Sequence, residues 1–382
     1  MGNRYRSSIG LGAAVAVVFT TGFGFGKKAP PPKVFDPERA AAEQAQDFIG
    51  LNKAVAKHMG GVGRIAITSC NVMFAFKSNA TAATAGGLFA EAGNTSRMDA
   101  NVSVEYTLQG ADDALMQALT DQICVDAERQ VRDAGYDVIA ADELRADPNF
   151  QGIHANGRPA PYVYKAPGKD SKTRYQVYAP SGQSIYDMRF IGFGAGFGAA
   201  MKQAKGESPE LYEGRVVDAH QATAMRISLL VDFAQLQSDG RKGALGGLAS
   251  KDKAKVGGEV RLAVSGDITL RPPSAFDCWE RFGKRECMGK PNKFPSFTTT
   301  TPVVSQDVFY RDVVNSTTKG DKIGSAVSKG LAVVSALGGV SSRSYKITRY
   351  TVDVDPAVYG EEVKKYAAGM IEMALARSVA TR

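Results

Sequence analysis

Apolar residues recur every fourth position from Leu115 through Leu119, Ile123 and Ala127 to Val131, with Met116, Ala118 and Ala134 widening the stripe. This period predicts one amphipathic helix. Asp112 and Asp113 stand where its start wants an acceptor and negative charge, and Gly135 stands where its end wants φ > 0. Tyr136, Val138 and Ile139 predict a short buried strand directly after it, and Asp142-Glu143-Leu144 open a new element. A helix buried along one stripe and followed at once by a strand is a unit that packs on a sheet.

Period-two segments supply that sheet. Met225, Ile227, Leu229, Val231 and Phe233 alternate with Arg226, Ser228 and Asp232, the pattern of a half-buried strand. Val260, Leu262, Val264, Ile268 and Leu270 repeat it, with Gly266 holding the parity, so the two segments predict an antiparallel pair. The Lys- and Gly-rich connector between them, Gln235 to Gly258, reads as unsuited to lipid-facing barrel hairpins. Val102, Val104, Tyr106 and Leu108 form another strand. In Arg64 to Phe76 the apolar parity moves from Ile65 and Ile67 to Val72, Phe74 and Phe76, which predicts a bulge near Ser69. Tyr345 to Val354 carries a similar slip near Arg349, and Val308 to Val314 reads as a further strand. Helices are expected over Pro37 to Lys57, Glu207 to His220 and Ile323 to Leu337, and from Asp355-Pro356 through Val363, Tyr366, Met370, Ile371 and Ala374. Lys77 to Ala100 reads as a loop, and the proline- and tyrosine-rich stretch from about 146 to 205 as a long insertion holding a short strand at Tyr175 and Val177. The fold class predicted is α+β: a mixed sheet with amphipathic helices packed on it.

Composition adds the setting. Hydrophobic content of 44% and charged content of 23% suit a globular chain with a real core. The net charge of +8 favours anionic neighbours. Arg4 and Arg6 precede the apolar run Ile9 to Phe25, so residues 1–26 read as an export signal or N-terminal anchor. Residues 27–36 form a proline-stiffened linker, and 37–382 the folded domain. Export removes nucleic acid as a partner and makes disulfides available. Cys278 and Cys287, within a cysteine loop at about 272–305, are the candidate bridge; Cys70 and Cys124 are expected to be buried, paired or not.

Catalytic patterns are scarce. Gly-x-Ser-x-Gly, His-Glu-x-x-His and phosphate-loop sequences are absent, so no enzyme activity is expected. Ser316-Thr317-Thr318-Lys319 matches the Ser-x-x-Lys of penicillin-recognising enzymes but lacks its Lys-Thr-Gly partner. Gly194-x-Gly196-x-x-Ala199 lies in the wrong context for a dinucleotide. Without Cys-x-x-Cys, and with only His58, His154 and His220, neither a metal nor a cofactor is expected. Asp142 and Glu143 read as solvated surface. Tyr162, Tyr164, Tyr175 and Tyr178 are candidates to stack on a ligand or partner, and Phe193 and Phe197, within the glycine-rich run Gly192 to Gly198, to touch a membrane or interface.

The run from Leu119 to Leu144, ending Ala134-Gly135-Tyr136-Asp137-Val138-Ile139-Ala140-Ala141-Asp142-Glu143-Leu144, resembles the helix-then-strand of the curli-secretion (CsgG-like) family. Arg64 to Asn71 stands where that family's first strand would, and Ala219 to Phe233 and Glu259 to Leu270 resemble two later ones. The N-terminal domain of TolB is similar. The likeness spans about half of the chain as pattern; the lipid-bearing cysteine is missing and the 146–205 insertion is extra. The resemblance implies a periplasmic or outer-membrane-associated domain, often assembled in rings, with no catalytic residues.

The expectation is therefore an exported cell-envelope protein, a structural or accessory component of a secretion or surface-appendage assembly. It would self-associate through edge strands and the terminal helix, and its basic surface would meet anionic lipid or polysaccharide. The rivals are a peptide- or glycan-binding module, an outer-membrane secretion pore and a periplasmic hydrolase.

Overall fold

The computed structural model describes residues 34–84, 100–165, 172–186, 206–241, 253–281, 283–317, 333–334 and 344–382. In chain order the first half runs α1 (Ala41–Phe48), β1 (Ile49–Leu51), α2 (Val55–His58), β2 (Ile65–Thr84), β3 (Ala100–Gln109), α3 (Asp113–Asp133), α4 (Ala141–Ala146), α5 (Pro148–Asn156), β4 (Tyr162–Lys165) and β5 (Arg174–Tyr178). The second half begins α6 (Pro209–His220), β6 (Thr223–Asp232), β7 (Gln235–Arg241), β8 (Lys253–Glu259), β9 (Ala263–Arg271), β10 (Phe276–Arg281) and β11 (Lys284–Gly289). It ends β12 (Ser296–Thr299), β13 (Val303–Val304), β14 (Tyr310–Asn315), β15 (Val333–Val334), β16 (Ser344–Val354) and α7 (Pro356–Val379). Eleven strands make one mixed sheet in the order β1-β12-β9-β6-β2-β3-β16-β14, with β13 on β9 and β5 and β4 added beside β2. The class is α+β, as the period pattern predicts.

The sheet has two different faces. On the first, α3 and α7 lie over the strands, and Met116, Leu119, Ile123, Ala127 and Val131 of α3 are buried. Each large apolar side chain buried this way contributes roughly 1.5–3 kcal/mol. Asp112 accepts from the Leu115 N–H at 2.8 Å and Gly135 has φ +84°, so both helix-end readings hold. Asp355 caps α7 through Ala357 and Val358, with Pro356 in its first turn. The predicted bulge is present: the β2–β6 register shifts between Ile67 and Ser69. Because of it Ile65 before the shift and Cys70, Val72 and Phe74 after it reach the same core. Cys70 is bonded to Cys124 of α3, Cα–Cα 5.9 Å, which ties the first-face helix to the central strand.

The second face carries α4, α5 and α6 over Ala66, Ile139, Leu144, Phe150, Ile153, Val216 and Ala222. Here strand β6 departs from the half-buried reading: Arg226 is 4% exposed and Ser228 3%, so both sides are covered. A polar residue every second position reads as solvent-facing, but polar partners from other elements wait on this face.

Other departures have local causes. Tyr136 to Ile139 makes one parallel bridge, Val138 with Ile65, because the chain turns into α4 at Ala141 directly after it. The expected helix from Pro37 to Lys57 breaks after Phe48, where Ile49-Gly50-Leu51 pairs with β12. Lys77 to Thr84, read as loop, prolongs β2 against β3. The described part of the insertion holds α5, β4 and β5, and β5 pairs with β2. The described ends of the connector, Gln235–Arg241 and Lys253–Glu259, pair antiparallel as β7 and β8 and pack across β2 and β3. Val333–Val334, read as helix, pairs with β8; the rest of Ile323 to Leu337 lies outside the described residues. The β16–β3 register passes Arg349 unbroken, and the irregularity sits in β14 between Tyr310 and Asp312. The export segment, most of the linker and the glycine run with Phe193 and Phe197 are outside the described residues.

The Cys70–Cys124 bridge closes a 54-residue separation. Replacing both cysteines with serine should cost about 4 kcal/mol by the chain-entropy relation. Urea unfolding of the double variant against the parent measures it.

Candidate functional site: the disulfide hairpin and the buried arginine pair beneath it

Helix α6 joins the sheet to the cysteine loop. Its Glu213 is fully buried and faces the second side of the sheet. The bulge in β2 turns Thr68 and Ser69 toward that side; Thr68 Oγ1 donates to Glu213 Oε1 at 2.6 Å. Arg226 of β6 donates from Nε to Oε1 at 2.8 Å and from its terminal nitrogen to Oε2, and Arg271 of β9 donates to Oε2. Both guanidinium groups also reach the Tyr186 hydroxyl. Arg226 lies 4.2 Å over the Tyr186 ring, and Arg271 4.0 Å over Phe294 and 5.6 Å from Phe276, the residue that opens the hairpin. Burial pushes the Tyr186 hydroxyl well above its ordinary range, although Arg271 pulls it the other way; burial lowers Arg271. Charges this dry need partners, and each has one.

The other side of α6 holds the hairpin β10–β11. Cys278 and Cys287 stand opposite each other and are bonded. Gly214 is needed there, since a Cβ would collide with the Cys287 carbonyl. Arg285 grips Asp218 at 2.9 and 3.2 Å, and Arg215 donates to the Arg285 carbonyl at 2.9 Å. A cleft of about 380 Å³ remains between Asn149, Arg215, Asp218, Ala219 and Arg285. A second, of about 430 Å³, lies between Phe35, Arg39, Asp307, Lys365 and Tyr366. The Asp218 carboxylate lies within 4.8 Å of both hairpin sulfurs. Those sulfurs are bonded to each other and are not thiolate donors, so the three do not form a metal site.

The tyrosines separate. Tyr162, Tyr164 and Tyr175 pack around Met73, Val177, Ala179 and Ile185, with the Tyr164 and Tyr175 rings 6.2 Å apart and Arg158 5.0 Å over Tyr162. Tyr178 is buried in the main core, edge-on to Phe74, and donates to Asp113 at 3.1 Å. It therefore cannot join a surface platform with the other three. Ser316 continues a strand end, its N–H donating to the Arg349 carbonyl, and Thr318 and Lys319 of the Ser-x-x-Lys pattern lie outside the described residues. Asp142 pairs with Arg145, whereas Glu143 meets Arg64 at 3.5 Å and His220 at 3.6 Å. His220 is also 2.7 Å from Asp147. His154 accepts the Ser184 N–H at 3.2 Å on Nδ1, which leaves its proton on Nε2 and gives no base for a serine. Burial lowers its pKa to about 4.

Pattern reasoning found the hairpin bridge and missed the Glu213 cluster. The available signal was Arg226 and Arg271 standing on otherwise apolar strands. The two bridges are those of a chain that folds in an oxidising, exported environment. Among the described residues no helix is long and apolar enough to cross a membrane. No protein-family model matches the chain, nor does any curated protein or solved structure.

Glu213→Gln should remove the carboxylate that Arg226 and Arg271 share and cost about 3–5 kcal/mol in chemical denaturation, whereas Asp218→Asn, at the exposed Arg285 pair, should leave the unfolding midpoint almost unchanged. His154 generates a pH dependence. The unfolded imidazole takes its proton near 6.5 and the folded one only near 4, so stability falls as pH drops from 6.5 and the loss is complete below 4. The full effect is on the order of 3 kcal/mol, and His154→Gln should flatten that part of a stability-against-pH curve.

Proposed function

We propose that the protein is an exported component of the bacterial cell envelope, in the periplasm or at the outer membrane. It acts by assembly, as a structural or accessory part of a secretion or surface-appendage system. The observation that carries this reading is the open end of the sheet at β14. That strand pairs with β16 on one side and, among the described residues, with no strand on the other. Val314 within it is 50% exposed, and Val308, just before its first residue Tyr310, is 48% exposed. Natural sheets usually guard such an edge, and one that presents valines is a template for another chain. The terminal helix offers only its ends, with Val358 43% and Val379 45% exposed. Thirteen of its residues, from Tyr359 to Ser378, are buried against α1, α3 and the sheet. The net charge of +8 suits an anionic envelope polymer or lipid surface.

A second reading, an outer-membrane pore, is favoured by the topology. Strands β2, β3, β16 and β14 are neighbours, and the chain leaves β2 for β3 and β14 for β16 at the same end of the sheet. The β7–β8 hairpin packs on β2 and β3.

Light scattering with and without detergent separates the two. A discrete oligomer without detergent, reduced to monomer by Val308→Lys with Val314→Lys, is the expected result. An oligomer found only in detergent would select the pore, and a monomer in both conditions would sink self-assembly.

A further inference from the structure

The cysteine hairpin presents a large aromatic side chain to solvent. Trp279 is the single tryptophan of the chain, and 37% of it is exposed. The register sets Trp279 opposite Glu286 and Asp277 opposite Met288, so Trp279 and Met288 are diagonal neighbours on one face of the ribbon. Met288 is 38% exposed. Glu286, on the same face, is covered beside Gly206. The opposite face, with Cys278, Cys287 and Arg285, is fastened to α6 through Gly214 and Asp218. The helix therefore holds one side of the hairpin and turns the tryptophan outward.

Charge surrounds this apolar pair. From Phe276 to Lys293 the sequence carries five cations, Arg281, Lys284, Arg285, Lys290 and Lys293, against the carboxylates of Asp277, Glu280 and Glu286. Cations still outnumber acids when Asp218, which takes Arg285, is added to the count. Arg281 lies 3.9 Å from Glu286 and Lys290 2.6 Å from Asp277, yet they keep 46% and 41% of their side chains exposed.

We infer that the Trp279 face of the β10–β11 hairpin docks on an anionic phospholipid surface. An indole has an apolar body and a polar N–H, the combination that settles at the depth of lipid headgroups. Met288 adds apolar area beside it, and the basic rim is drawn to phosphate-bearing headgroups. The disulfide and the α6 contacts hold the ribbon in shape beforehand, so docking orders little that was free. The inference does not depend on the assembly reading: a monomer could dock in this way, and an oligomer could fail to.

The single tryptophan makes the test direct. The full-length chain is mixed with vesicles of phosphatidylglycerol in phosphatidylcholine, with pure phosphatidylcholine vesicles, and with dextran sulfate. Trp279 emission is followed, with bromine-labelled phosphatidylglycerol as quencher. An apolar N-terminal run that binds lipid by itself leaves Trp279 unshifted, so tethering and docking are told apart. The expected result is a blue shift and quenching with phosphatidylglycerol, reversed by high salt. Partition should weaken roughly tenfold in Arg281→Gln with Lys290→Gln, at unchanged far-ultraviolet circular dichroism. Unshifted emission with phosphatidylglycerol, an equal shift with phosphatidylcholine alone, or a shift with dextran sulfate and not with vesicles would each overturn the inference.

Discussion

One buried carboxylate organises the second face of this sheet. Glu213 has no contact with water, and two guanidinium groups and a threonine hydroxyl converge on it. The three charges come from helix α6, from β6 directly after it and from β9, 58 residues beyond Glu213, and their burial makes each depend on the pairing. The helix that supplies Glu213 can therefore sit in one place and one rotation. Its far side then receives the cysteine hairpin through Gly214 and Asp218, so the position of Trp279 follows from a charge pairing in the interior.

The first face is held differently. Helices α3 and α7 bury apolar stripes on it, and the Cys70–Cys124 bridge secures α3 to the central strand. The bulge in β2 serves both faces. It returns Cys70, Val72 and Phe74 to the apolar side after Ile65, and it turns Thr68 and Ser69 together toward the polar side, where Thr68 meets Glu213 and Ser69 the Tyr186 carbonyl. The molecule thus joins an apolar layer, where shape and area decide, to a polar layer, where pairing decides.

The sequence by itself determined whatever is written at short range. The stripe of α3 with Asp112 and Gly135 at its ends, the Asp355-Pro356 start of α7, the bulge of β2, the β6–β9 pairing and the Cys278–Cys287 bridge all depend on residues a few positions apart or on a simple period. Tertiary structure alone decided that the polar side of β6 is buried, that Cys70 bonds Cys124 and that Tyr178 leaves the other tyrosines for the core. It also decided that the two ends of a connector rich in lysine and glycine pair as β7 and β8 over β2 and β3. An alternating arginine looks solvent-facing until the carboxylate that neutralises it is brought in from another element, and a one-dimensional pattern holds no record of that meeting.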